Sequence, residues 1–254
     1  VRLRWLGTAG FDITSSQDRI LIDPYLSRNL KAFPFQPLKP RQFESVDAIF
    51  LTHGHFDHAL DVPEIARLSG AKVYASRETC KRLQGSGVEP SQLEPLSDNA
   101  CFEVGAFKVK AIPSEHVDFD LTLVVKTLLR SLPHLPSVLK LGSHYPVGEV
   151  FAFLIEVEGK RLLHMGSAYM SRELLDEGAI DLFLVPVQGR SDITRLAAQI
   201  VAELRPRYVI PHHHDDFYPP LSQTIDLQPF IAELEILAPR VRVIVPSINN
   251  WVEF

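Results

Sequence analysis

Thr52-His53-Gly54-His55-Phe56-Asp57-His58 follows directly on the apolar run Ala48-Ile49-Phe50-Leu51. The run reads as a buried strand, so the cluster falls where a strand ends and a loop begins. Side chains two apart in an extended segment face the same way, which directs His53 and His55 at one metal. Asp57 and His58 turn with the loop and face a second metal beside it. Neutral imidazole and carboxylate suit zinc, with manganese or iron as further options. A solvated His-rich loop is the alternative, and ligand-type residues at this density on a strand end argue against it.

Outward from this stretch, short apolar or alternating runs predict strands at Leu3–Leu6, Phe11–Ile13, Ile20–Ile22, Lys72–Ala75, Cys101–Val104 and Phe107–Ile112. Further runs follow at Phe151–Val157, Arg161–His164, Leu182–Val185, Tyr208–Ile210 and Val241–Val245. Turn residues such as Glu158-Gly159-Lys160 and Val104-Gly105 join neighbours into hairpins. Apolar residues at three-to-four spacing predict helices over Ser76–Leu83, Ser171–Glu177, Ile193–Leu204 and Leu227–Leu237. Asp61-Val62-Pro63-Glu64 reads as a capping box opening a helix to Leu68. Hairpins with interspersed helices suit two sheets packed face to face with helices outside. Periodicity alone leaves α/β and α+β both open, and with no repeat or linker the whole chain, 1–254, reads as one domain.

The length allows a substantial core in one large α/β domain. A net charge of −5, without a basic stripe, excludes a nucleic-acid partner that works by counterion release. No run reaches the length of a membrane span, so stable membrane insertion is not expected. Cys80 and Cys101 lack C-x-x-C spacing, which rules out a zinc ribbon. They fit one disulfide in an exported protein or two thiols in the cytosol. We read the protein as reduced and cytoplasmic, with an exported form as the alternative, since the sequence opens on Val1 rather than Met.

The spacing H-x-H-x-D-H after a strand resembles the signature of the metallo-β-lactamase superfamily, and similarity extends over nearly the whole chain. Leu3-Arg4-Trp5-Leu6-Gly7-Thr8-Ala9-Gly10-Phe11 resembles its first hairpin, and Ile20-Leu21-Ile22-Asp23-Pro24 the strand whose aspartate supports the histidine loop. Pro113-Ser114-Glu115-His116 and Pro211-His212-His213-His214 fall where its later metal histidines lie. The branch it looks most similar to contains the ascorbate-phosphate lactonases. The resemblance implies a four-layer αββα sandwich. It also implies a first metal on His53, His55 and His116, and a second on Asp57, His58 and His213. His212 and His214 then lie behind the ligands or at the pocket mouth. Asp23 supports the histidine loop, a turn-forming aspartate before proline being the alternative.

One position departs from the pattern. The superfamily carries Gly-Asp after the strand read here as Arg161–His164, and that aspartate bridges both metals; this chain has Met165-Gly166-Ser167-Ala168. Ser167 offers a neutral hydroxyl, a poorer zinc ligand than carboxylate. We read a dinuclear site with a weaker second metal, the alternative being a single His-rich centre. The loss of one negative charge favours an anionic substrate.

Between Asp120 and Glu149 there is no acidic residue, while Lys126, Arg130 and Lys140 are basic and His134 and His144 add two imidazoles. Leu121, Val124, Val125, Leu128 and Leu132 recur at helical spacing after Asp120 as N-cap. This insertion, at about 119–149, reads either as a packing or dimer helix or as a lid for a substrate with an apolar part and an anionic group.

The expected activity is hydrolysis of a lactone or carboxylic ester by a metal-bound hydroxide, on a small-molecule substrate. Asp57 orients and deprotonates the water, and His214 or His144 supplies a leaving-group acid. A phosphodiesterase, including one for a lipid-like substrate, is the second expectation. A non-catalytic metal-binding module is the third.

Overall fold

The computed structural model describes residues 1–132 and 142–254. His134 and Lys140 of the predicted insertion lie outside the described residues. The first sheet contains β1 (Arg2–Gly7), β2 (Gly10–Thr14), β3 (Arg19–Ile22), β4 (Ala48–Phe50), β5 (Lys72–Ala75) and β6 (Leu93–Pro95). The second contains β7 (Cys101–Val104), β8 (Phe107–Ser114), β9 (Val150–Val157), β10 (Lys160–Met165), β11 (Leu182–Pro186), β12 (Tyr208–His212) and β13 (Arg242–Val243). The chain then returns to the first sheet as β14 (Trp251–Glu253), giving the orders β14-β1-β2-β3-β4-β5-β6 and β13-β12-β11-β10-β9-β8-β7.

Each sheet is antiparallel at one side and parallel at the other. Hairpins join β1 to β2 and β7 to β8, whereas β3, β4, β5 and β6 run parallel, as do β10 to β13. Parallel neighbours need crossovers; the one from β3 to β4 carries only a 3-10 turn, Pro40–Phe43, and α-helices supply the others. They are α1 (Phe56–Ala59), α2 (Val62–Ser69) and α3 (Arg77–Gly85) on the first half. On the second half, α5 (Arg172–Leu175), α6 (Ile193–Leu204) and α7 (Gln228–Leu237) do the same. The predicted insertion contributes α4 (Leu121–Ser131).

Strand alternation builds the layers. Ile20 and Ile22 of β3 face the space between the sheets with Phe50, Phe107, Phe153 and Leu184, while Leu21 faces away. Leu21, Ile49 and Val73 bury the inner faces of α2 and α3 through Ile65, Ala66 and Leu83. Leu163, Phe183 and Val209 do the same for α6 and α7 through Ala197, Val201, Phe230 and Leu234. The result is helix, sheet, sheet, helix, the four-layer αββα sandwich that the family resemblance implies.

Several local expectations change. Asp61 does not cap α2: its carboxylate accepts hydrogen bonds from the Leu26 and Ser27 amides at 2.7 and 2.9 Å, tying down the loop after β3. The helix expected over Ser171–Glu177 is a single turn, α5. Asp120 does cap α4, accepting from the Leu123 amide at 2.9 Å, and its other oxygen accepts from Ser191. Both cysteines are free, Cys80 buried on α3 and Cys101 exposed on β7. Among the described residues, no helix is long and apolar enough to cross a membrane.

Candidate metal centre

The candidate ligands all follow strand ends. His53 and His55 come after β4, His116 after β8, and His213 after β12, while Asp57 and His58 lie in the α1 turn. Folding brings them into two groups, His53 with His55 and His116, and Asp57 with His58 and His213. Within each group the ligand atoms lie within 4.8 Å of one another. The groups adjoin, since the His53 and His58 ring centres are 3.9 Å apart.

Local backbone geometry turns each side chain inward. His55 is extended at the N-terminus of α1, so the chain bends there and sends Asp57 and His58 to the neighbouring position. His213 has a positive φ of 60°, unusual for a residue with a side chain. Its amide donates to the Thr8 carbonyl at 2.8 Å, which holds that turn and brings His213 Nε2 within 3.3 Å of Asp57 Oδ2. Gly166 permits another close approach: a Cβ there would lie 2.0 Å from the Thr52 hydroxyl.

Partners on the outer side of the rings fix their orientation. Asp23, itself at φ 45°, meets His58 Nδ1 at 2.8 Å and accepts from the Thr52 amide at 2.8 Å and hydroxyl at 2.6 Å. Thr52 Oγ1 lies 3.1 Å from His53 Nδ1. His116 Nδ1 sits 2.9 Å from the Val117 carbonyl, turning Nε2 inward. Such contacts select the tautomer and aim the free nitrogen.

Electrostatics at His53, His55, His116 and Asp57 agree with a ligand set. Burial, with crowding by the other imidazoles, holds His53 well below its ordinary range. Burial also lowers His116, and lowers His55 to about 4. These rings are neutral at pH 7 and offer lone pairs. His58 shifts upward, because Asp23 and Asp57 outweigh its burial. Burial opposes ionisation of Asp57, but His58 and His213 prevail and hold its carboxyl below the usual range. Three neutral imidazoles beside a carboxylate and two imidazoles form a donor set that fits divalent transition metals.

Both groups open onto one cavity of about 430 Å³. Ser167 lines it and is buried, and its hydroxyl accepts from the Val117 amide at 2.8 Å. Its contact therefore runs to the His116 loop. The two predicted leaving-group acids do not line the cavity. His214 stacks on Trp5 with ring centres 4.7 Å apart, and His144 is an exposed residue whose carbonyl accepts from Arg82. His212, which the sequence put behind the ligands, is fully buried and stacks on His164.

A buried pair missed in the sequence lies behind His213. Arg28 Nη2 meets Asp215 Oδ2 at 2.6 Å, and Asp215 accepts from the Thr8 amide at 3.1 Å. No local spacing signals this pair, because its members come from opposite ends of the chain.

Residues 2–213 match the family profile described as "Beta-lactamase superfamily domain". The chain belongs to the metallo-β-lactamase superfamily. Its similarity to a UPF0173 metal-dependent hydrolase of Pyrococcus abyssi is 31% identity, covering 87% of this chain and 88% of the relative. One from Thermococcus onnurineus is also 31% identical, covering 94% and 97%. The metallo hydrolase Igni18 of Ignicoccus hospitalis shares the fold, with a TM-score of 0.71, 23% identity and coverage of 100% and 99%. This metallo-β-lactamase superfamily member is accordingly a metal-dependent hydrolase, and the non-catalytic expectation is set aside.

Proposed function

We propose that the protein hydrolyses lactones or carboxylic esters of small molecules. His53, His55 and His116 would hold one zinc ion, and Asp57, His58 and His213 a second, more weakly bound one. Manganese and iron fit the same donors less well. The observation carrying this reading is the pair of three-ligand groups side by side on the wall of a single cavity. A divalent ion bound there supplies Lewis acidity and lowers the pKa of coordinated water from about 15.7 to near 7.

The chain's own residues do the rest. Asp57 orients the attacking water and accepts its proton. Asp23 keeps His58 in one tautomer, and Ser167 steadies the His116 loop through Val117. Ser167 adds no charge where a carboxylate would, which favours an anionic substrate. A cytoplasmic location fits two free thiols.

A second reading has its own observation. Arg130 and Arg190 line the cavity, and guanidinium groups recognise phosphate well. A phosphodiesterase is therefore the competing activity. Turnover of a lactone and ester panel, compared with bis(p-nitrophenyl) phosphate on zinc-loaded protein, tests the choice. The proposal predicts that the best ester or lactone exceeds the phosphodiester in kcat/KM; the reverse order would overturn it.

A further inference from the structure

Away from the candidate ligands, the cavity wall is largely apolar. Phe119, Leu123 and Leu128 line it from α4 and its entry, and Phe217, Leu221 and Ile225 from the segment after β12. The position of α4 gives the chamber a direction. At its start, Phe119 packs edge-on against His116, with ring centres 5.3 Å apart. At its last turn, Arg130 hydrogen-bonds Gln223, joining the helix to the opposite wall. At a rise of about 1.5 Å per residue, Asp120 and Arg130 lie about 15 Å apart along the axis, the reach of an extended chain of roughly ten to twelve carbons.

The helix is anchored for this role at its metal-proximal end. Asp120 receives the Leu123 amide with one oxygen and the Ser191 amide with the other. Ser191 follows Gly189 and Arg190, which also line the cavity. The wall beside His116 is thereby fixed to the loop after β11, so the apolar channel starts at a defined distance from the reacting position.

Resting on the ester-hydrolase reading above, we propose that the substrate is an ester of a medium-length, unbranched acyl chain. The acyl carbonyl lies at the His116 end, and the chain runs along α4 toward Arg130. The polar Arg130–Gln223 contact ends the apolar stretch and limits the gain from longer chains. The α4 side chains that do not line the cavity, such as Leu129, have no part in this selection.

Two measurements on zinc-loaded protein test the proposal separately from the reaction. In a p-nitrophenyl ester series from acetate to hexadecanoate, kcat/KM is expected to rise to a maximum at ten to twelve carbons. Each fully buried methylene contributes up to about fourfold, and the best substrate should exceed acetate at least a hundredfold. Leu123→Gln and Leu128→Gln should reduce the decanoate-to-acetate ratio tenfold or more, whereas Leu129→Gln should keep it. Calorimetry should show decanoate, the free-acid product, binding at least thirtyfold more tightly than butyrate. A flat ester series, or equal binding of the two acids, would overturn the acyl-channel proposal. Absence of all ester turnover, with tight decanoate binding, would instead refute the reaction assignment and leave the channel supported.

Discussion

Asp23 Oδ2 lies 2.8 Å from His58 Nδ1, and both side chains are buried. The same carboxylate accepts from the amide and hydroxyl of Thr52. One residue thus joins the end of β3 to the start of the histidine loop and aims a candidate ligand. An asparagine offers one oxygen where three donors compete. Asp23→Asn should weaken binding of the more loosely held metal by about 10- to 100-fold. Titration against a competing chelator measures this, and unchanged affinity would remove Asp23 from the supporting role.

Ser167 should matter through the amide it receives. Ser167→Ala leaves the buried Val117 N–H without its partner, at a cost of about 1–3 kcal/mol. The loss should appear in urea unfolding, with weaker metal binding at His53, His55 and His116. Full retention of both would show that the contact is dispensable.

The Arg28–Asp215 pair predicts a larger stability effect. Both side chains are almost wholly buried, and Gly7 makes room, since a Cβ there would lie 1.8 Å from Arg28 Nη2. Arg28→Met strands the Asp215 charge and should cost about 3–5 kcal/mol by denaturant unfolding. Because Thr8 joins Asp215 to the His213 amide, metal affinity at His213 should fall as well. A variant as stable as the wild type would contradict the role given to this pair.

His164 supplies a pH dependence outside the candidate ligands. Its ring is fully buried, donates from Nε2 to the Ala9 carbonyl in its neutral form, and is lowered to about 4, chiefly by burial. The unfolded chain, with an ordinary pKa near 6.5, binds more protons between those values. This contribution to stability is present above about pH 6.5, declines as pH falls and levels off below about 4. It amounts to on the order of 3 kcal/mol. His164→Gln should show a smaller loss than the wild type across that window in urea midpoints. Parallel profiles would contradict the assignment.

How much was legible in the sequence follows from distance along the chain. His53 to His58 declared themselves because their spacing and the preceding strand are local. His116 and His213 needed the family pattern, yet each also follows a strand. The edge strands β6 and β14 escaped notice because three residues are too few to show alternation. Asp61 looked like a helix cap, but a buried carboxylate near the Leu26 and Ser27 amides gains more by accepting both. The Ser167–Val117 contact, the Arg28–Asp215 pair and the alignment of α4 over the cavity depend on packing that no periodicity encodes.

The central claim is that both ligand groups hold metal although Ser167 replaces a bridging carboxylate. Metal content by mass spectrometry, on protein expressed in unsupplemented medium and on Ser167→Asp, tests it most directly. The account predicts close to two ions per chain in the wild type, with the second held more tightly in the variant. One ion or fewer in the wild type, rising to two in the variant, would mean that Ser167 empties the second site and would contradict the dinuclear reading.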